Sequence, residues 1–304
     1  MGLGHLFRGS KSGVVGFSVT AALILLALAG PALIPADPNF QRISDAYAPP
    51  SWAHPFGLDI YGRDTLARVI HGSRVSLFIG FVAVAFGGFL GTLIGALSAL
   101  EGGRMDRVVV RATDILLSFP TLILGVIVIV ALGNRFTNVV AAVSVAMLPK
   151  FVRYARGPTL AIREQDFVQG AIALGAGRAR VFFRHVLPSI LGPVMVMAAL
   201  WVGIAIRIEA SLSFLGLGVQ PPTPAWGTML KEGVESMLFT PWLALFPGLA
   251  IMVTIFGLNL LGDWLRDVVD PYVMSLARRA DEAGAAEAPG TAPSFSREEL
   301  ARMG

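Results

Sequence analysis

"VSLFIGFVAVAFGGFLGTLIGALSAL", residues 75 to 100, contains no charged side chain. A helix of roughly 20 apolar residues covers the about 30 Å of hydrocarbon in a bilayer, so this stretch is long enough to cross one. The rest of the chain points the same way. Of its 304 residues 55% are hydrophobic and 14% charged, against about 45 to 50% and about 25% in ordinary soluble domains. The solvent for most of this chain is therefore lipid. A net charge of +4, carried mostly by arginine, fits membrane topology better than nucleic-acid binding. Cysteine is absent, which excludes disulfides, zinc-thiolate sites and thiol catalysis.

Within the same stretch Gly87, Gly91 and Gly95 recur every four residues. This small-x3-small stripe lets a second helix approach closely, either within the chain or from a partner. Working outward, six uncharged stretches read as spans, near 13–34, 75–100, 115–133, 138–156, 188–206 and 241–262. The first follows His5, Arg8 and Lys11, yet its apolar run exceeds the roughly 7 to 15 residues of a signal peptide and no clear small-x-small cleavage site follows. It reads as a retained anchor.

Arginine and lysine concentrate in the N-terminal residues 1–12, in 101–114 (Arg104, Arg107, Arg111) and in 150–187 (Lys150, Arg153, Arg156, Arg163, Arg178, Arg180, Arg184). The positive-inside rule makes these segments cytoplasmic. Both termini then face the cytoplasm, 35–74 forms an extracytoplasmic loop, and 75–272 forms a core with a cytoplasmic loop at 158–187. Residues 273–304, rich in Ala, Glu, Pro and Ser without an apolar period, are predicted to form a disordered cytoplasmic tail.

The cytoplasmic loop holds "FVQGAIALGAGRARVFFRHVLP", residues 167 to 188. Asp166 can cap a helix in which Phe167, Ala171 and Leu174 share a face widened by Val168 and Ile172. Gly175 to Gly177 can end it in a left-handed turn. A second short helix sets Val181, Phe182 and Val186 against Arg178, Arg180 and Arg184, and Pro188 is expected to separate it from the next span. Such a pair can lie on anionic headgroups or serve as a docking knob for a soluble partner.

The outer half offers weaker candidates. Arg207 and Glu209 stand at the end of the fifth span, where ionisable residues mark a pathway mouth, with Phe214 beside them. The segment "FLGLGVQPPTPAW" (214–226) reads as a non-helical connector or part of an exit vestibule. His54, Asp59, Asp64 and His71 have no compact metal-ligand spacing, and Asp64 reads as a helix cap or ion-pair partner. No metal site is expected.

The loop at 167–188 resembles the motif E-A-A-x3-G-x9-I-x-L-P of bacterial ABC-importer permeases, with Gln169, Gly170, Ala171, Gly175, Leu187 and Pro188 in register. It departs in having Gln169 for the glutamate, Gly170 for the first alanine and His185 for the aliphatic residue. Further stretches look like the second, C-type permease of dipeptide and oligopeptide importers: "HPFGLDIYGRDTLARVIHGSRVSLFIG" (54–80), "DRVVVRATDILLSFP" (106–120), "EASLSFLGLGVQPPTPAWGTML" (209–230) and "LNLLGDWLRDVVDP" (258–271). The resemblance runs from about residue 12 to 272.

That resemblance implies an all-α integral membrane protein with six transmembrane helices and the type I ABC importer permease fold. It implies a multi-pass protein of the bacterial plasma membrane, paired with a second related permease, two cytoplasmic ABC ATPases and an extracytoplasmic substrate-binding protein. The cargo would be dipeptides or oligopeptides, with nickel complexes as the alternative. The loop would couple to the ATPases through Phe167, Gln169, Gly170, Ala171, Leu174, Gly175, Arg178, Arg184, Leu187 and Pro188. ATP and magnesium would bind the ATPases and no cofactor this chain.

Absent motifs agree with a non-catalytic subunit. No G-x4-G-K-[ST] occurs, and none of Lys11, Lys150 and Lys231 follows a glycine, so the chain has no P-loop. No G-x-S-x-G or H-E-x-x-H is present, and no mid-membrane carboxylate or inverted repeat stands out for an ion-coupled secondary transporter.

Overall fold

A computed structural model describes residues 11–34 and 36–269. The expected tail at 273–304, and residues 1–10 of the expected N-terminal segment, lie outside the described residues. The helices are α1 (Lys11–Leu33), α2 (Thr65–Glu101), α3 (Gly103–Ser118), α4 (Thr121–Leu132), α5 (Phe136–Arg163), α6 (Asp166–Ala173), α7 (Arg178–Val181), α8 (Leu187–Phe214), α9 (Trp226–Glu235) and α10 (Trp242–Val269). Among the described residues five helical stretches are each long and apolar enough to cross a membrane. A sixth crossing requires α3 and α4 together, which meet at a bend of 95°.

That bend corrects the straight span expected over 115–133. Pro120 lacks an N–H and crowds the residue before it, so Phe119 leaves the helix at φ −83° and ψ 136°. The 12 residues of α4 rise about 18 Å, short of the about 30 Å of hydrocarbon. An apolar run counted along the chain cannot register a right-angled corner inside it.

The second span also begins earlier than expected, at Thr65 rather than 75. Asp64 is its N-cap and accepts from the Ala67 N–H at 2.8 Å, while His54 Nδ1 lies 2.7 Å from the other carboxylate oxygen. The charges that hid this first part of the helix have partners. Arg74 donates through Nε to Ala27 O at 2.5 Å and through Nη2 to Leu28 O at 2.6 Å. Residue 31 is a proline, so Ala27 O has no helical donor four residues on, and Arg74 fills that place.

The core forms where α2 crosses α5 and α8. Gly87, Gly91 and Gly95 lie under the carbonyls of Ser144, Leu148 and Val152, so both helices contribute positions i, i+4 and i+8. A Cβ on any of these glycines would come within 2.6 Å of those oxygens. The glycine stripe thus packs within the chain rather than against a partner. Phe151, on the same α5 face, is buried edge-on to Trp201 of α8 at 4.5 Å between ring centroids.

Pro188 does not separate two helices. The chain is helical from Arg178 to Phe214, and the five residues Phe182–Val186 form a single wide π turn. A proline in a helix collides with the carbonyl four residues back, here that of Arg184, and the wider turn makes room for it. Only 164–165 and 174–177 of the expected cytoplasmic loop are non-helical in this region.

Candidate functional site

The α6 segment projects from the end of α5 and is held by few bonds. Val168 is its buried side chain, sharing one apolar cluster with Val181, Phe182, Val186 and Ile190. Gln169 Nε2 donates to Arg163 O at 2.8 Å, satisfying a carbonyl at the C-terminal end of α5. Position 169, where the resembled motif has glutamate, therefore tethers α6 to α5. Asp166 lies in the first turn and the cap position is Gln165 without a side-chain bond, so the expected Asp166 cap is not formed.

The helix ends as its glycines predict. Gly175 has φ +83°, its N–H reaches Ile172 O at 2.9 Å, and the Ala176 N–H reaches Ala171 O at 3.0 Å. This pair of bonds is a Schellman motif, whose left-handed position favours glycine. Past the turn, Arg178 pairs with Glu101 at 2.5 Å and Arg163 Nη1 donates to Ala99 O at 3.0 Å. The loop is thereby tied to the end of α2 as well as to α5 and α8.

Toward solvent the loop presents apolar side chains. Leu174 is 91% exposed, Phe167 and Ile172 are also exposed, and no atom lies within 4 Å of a Cβ built on Gly170, Gly175 or Gly177. Ala171 and Leu187 are half-buried, while Arg184 and Pro188 are exposed. Phe167 and His185 bring their rings to 6.2 Å. The outcome is a small apolar knob rimmed by arginines on a base fixed to three long helices.

The outer candidates separate. Arg207 and Phe214 are exposed, but Glu209 is completely buried, which removes it from a pathway mouth. The helix continues beyond the expected end at 206 as far as Phe214, and its 209 face turns inward. Ser213 Oγ donates to Glu209 Oε1 at 2.8 Å and accepts from the Val219 N–H at 3.3 Å. Glu209 thus anchors the 214–226 segment. That segment is a packed connector: Trp226 is buried with Nε1 donating to Val69 O at 2.9 Å, and Val219 and Ala225 are buried with it.

A charged cluster near the outer loop escaped the sequence reading. Arg63 Nε lies 2.6 Å from Asp59 and Nη2 lies 3.2 Å from Glu232. Arg68 lies 3.5 Å from Asp59 and 3.8 Å from Glu232. Arg68 is 1% exposed, and its Nη1 also donates to Pro38 O at 3.3 Å. Burial pushes the Glu232 carboxyl above its ordinary range, against the pull of Arg68 and Arg63. Two cations and two anions neutralise one another and pin the outer loop and α9 onto α2. The i,i+4 spacing of Asp59 and Arg63 was a usable signal; the partner Glu232 lies 169 positions from Arg63.

A groove of ≈ 620 Å³ opens between α2 and α8, floored by Gly88 and Phe151 and walled by Phe81, Phe89, Leu191 and Met195. It is almost wholly apolar. No group of three or more His, Cys, Asp or Glu able to hold a metal occurs among the described residues.

Comparison with known proteins supplies the family. Residues 91–275 match the binding-protein-dependent transport system inner membrane component, and residues 5–50 match the N-terminal TM domain of oligopeptide transport permease C. A probable D,D-dipeptide transport system permease protein of Escherichia coli K12 is 40% identical over 266 residues, covering 88% of this chain and 89% of that one. A dipeptide transport system permease protein of Alkalihalophilus pseudofirmus is 37% identical, over 88% of each chain. A glutathione transport system permease protein of Pectobacterium atrosepticum is 39% identical, over 83% of this chain and 84% of its own. With an all-helical body built for lipid and matches over most of its length, the chain belongs to the inner-membrane components of binding-protein-dependent transport systems, as a C-type permease.

Proposed function

We propose that this chain forms one half of the translocation pathway of an ATP-driven importer of dipeptides or oligopeptides. A second related permease forms the other half, two cytoplasmic ATPases bind ATP and magnesium, and an extracytoplasmic binding protein delivers the peptide. Both termini face the cytoplasm under this reading, because the arginine-rich segments then lie inside. The peptide cargo follows from relatives named for dipeptides and glutathione.

The observation that carries the reading is the exposed knob of Phe167, Ile172 and Leu174 on a base bonded to α2, α5 and α8. An apolar patch on a surface tied into the bundle suits a groove in a soluble partner. Closure of two ATPases would press α6, and the helix running unbroken from Arg178 to Phe214 would carry that displacement to the outer end. ATP binding then favours one of two arrangements of the pathway, inward-open or outward-open. The ≈ 620 Å³ apolar groove between α2 and α8 suits a helix of the second permease.

The test is Leu174→Asp in the reconstituted four-subunit complex with its binding protein. Leu174 is exposed, so insertion and pairing of the permeases should persist while ATPase co-purification and uptake of a radiolabelled dipeptide fall by about tenfold or more, the loss of a hot-spot contact. Unchanged co-purification and uptake would remove the coupling role from this loop.

A further inference from the structure

The α3 helix is the other basic element on the cytoplasmic side, and its placement is fixed by ion pairs. Arg156 of α5 grips Asp106 through Nε at 2.8 Å and Nη2 at 2.7 Å, and Arg153 lies 3.8 Å from Asp114. The two carboxylates lie about 12 Å apart along α3, while the two arginines lie about 4.5 Å apart along α5. The helices therefore cross. Arg153 and Arg156 stand about 26 to 30 Å along α5 from Phe136, one hydrocarbon thickness from the end where Asn138 Nδ2 holds Leu132 O at 2.7 Å. The 95° bend turns α3 away from the direction of α4, at the end of α5 that carries Arg153 and Arg156.

The surface chemistry of α3 divides by face. Thr113 is buried and Asp106 is held, which defines the side against α5. Met105, Val108, Ala112 and Ile115, at i, i+3, i+7 and i+10, are all exposed. The neighbouring stripe holds Arg104, Arg107 and Arg111, also exposed. None of these three arginines pairs with a carboxylate among the described residues, although Arg107 Nε donates to Gly103 O at 3.2 Å. Interface cores between proteins are depleted in charge, whereas an apolar row edged by cations matches the boundary of acyl chains and phosphates.

We propose that α3 is an in-plane helix that binds anionic phospholipid headgroups of the cytoplasmic leaflet through Arg104, Arg107 and Arg111, with Met105, Val108, Ala112 and Ile115 entering the acyl boundary. The proposal rests on the orientation adopted above. Its consequence is a permease in which the corner between α3 and α4 is seated by lipid charge.

The chain has no cysteine, so Val108→Cys and Ile115→Cys each give it a single thiol for a bimane label. The labelled chain is assembled with the second permease and the ATPases in phosphatidylcholine vesicles with or without phosphatidylglycerol, and quenching by brominated forms of each lipid is measured. Both labels should be quenched. Brominated phosphatidylglycerol should be preferred, with the preference falling about fivefold for each arginine replaced in the series Arg104→Gln, Arg107→Gln and Arg111→Gln. The single replacements keep the test readable where the triple variant assembles poorly. Equal quenching by the two lipids would overturn headgroup recognition, and labels shielded from lipid only when the second permease is present would assign the stripe to that subunit instead. Lipid preference that survives alongside failed peptide uptake would sink the importer reading alone.

Discussion

The two ends of the molecule use the same turn for different purposes. At one end Gly175, φ +83°, closes α6; at the opposite end Gly216, φ +80°, closes α8 with the corresponding bonds from Gly216 N–H to Ser213 O and from Leu217 N–H to Leu212 O. Beyond Gly216 the chain is drawn inward by Ser213, Trp226 and the Arg63, Arg68, Asp59, Glu232 cluster. Around Gly175 the chain stays on the surface, with Phe167 and Leu174 bare, and it re-enters the core only at Val181 and Phe182. One local device thus builds a packed cap on one side and an unfilled contact surface on the other, and the tertiary surroundings decide which.

The largest expected effect breaks the cap. Arg68→Leu leaves Asp59 and Glu232 short of a buried partner and should cost about 3 to 5 kcal/mol, read as a fall in the thermal unfolding midpoint of the purified permease pair. A loss below about 1 kcal/mol, the range of exposed pairs, would show that the cluster holds nothing.

Glycine replacements compare the two turns directly. Gly175→Val and Gly216→Val each force a β-branched residue into the left-handed region at about 1 to 2 kcal/mol. At Gly216 that strain should appear as lowered thermal stability, because the turn continues into buried chain. At Gly175 the midpoint should hold while hydrolysis uncouples from uptake. Normal uptake with Gly175→Val would end the account of α6 as a lever.

The smallest effect belongs to the exposed link between loop and bundle. Arg178→Ala should change stability by less than about 1 kcal/mol, as should Glu101→Ala. A double-mutant cycle on dipeptide uptake separates transmission from stability: coupling between the two substitutions places the Arg178 and Glu101 pair in the path from α6 to α2, and strict additivity removes it.

Several features were legible in the chain alone because their causes are local. Apolar composition names the solvent, a run such as 75–100 must satisfy its backbone as a helix in lipid, Asp64 caps because its side chain reaches an N–H three residues on, and Gly175 turns because it lacks a Cβ. The resemblance of 54–80, 106–120 and 209–230 to importer permeases was equally a property of the residues. What the chain could not disclose is which surface each face meets. The glycine stripe could have served a partner and instead meets Ser144, Leu148 and Val152; Glu209 was expected at a mouth and instead closes the interior beside Ser213; 115–133 was a straight span on hydropathy and a corner in space. Hydropathy and capping act between neighbours in sequence, whereas the pairing of Arg63 with Glu232 or α2 with α5 depends on packing that brings distant residues together, and only the folded bundle decides it.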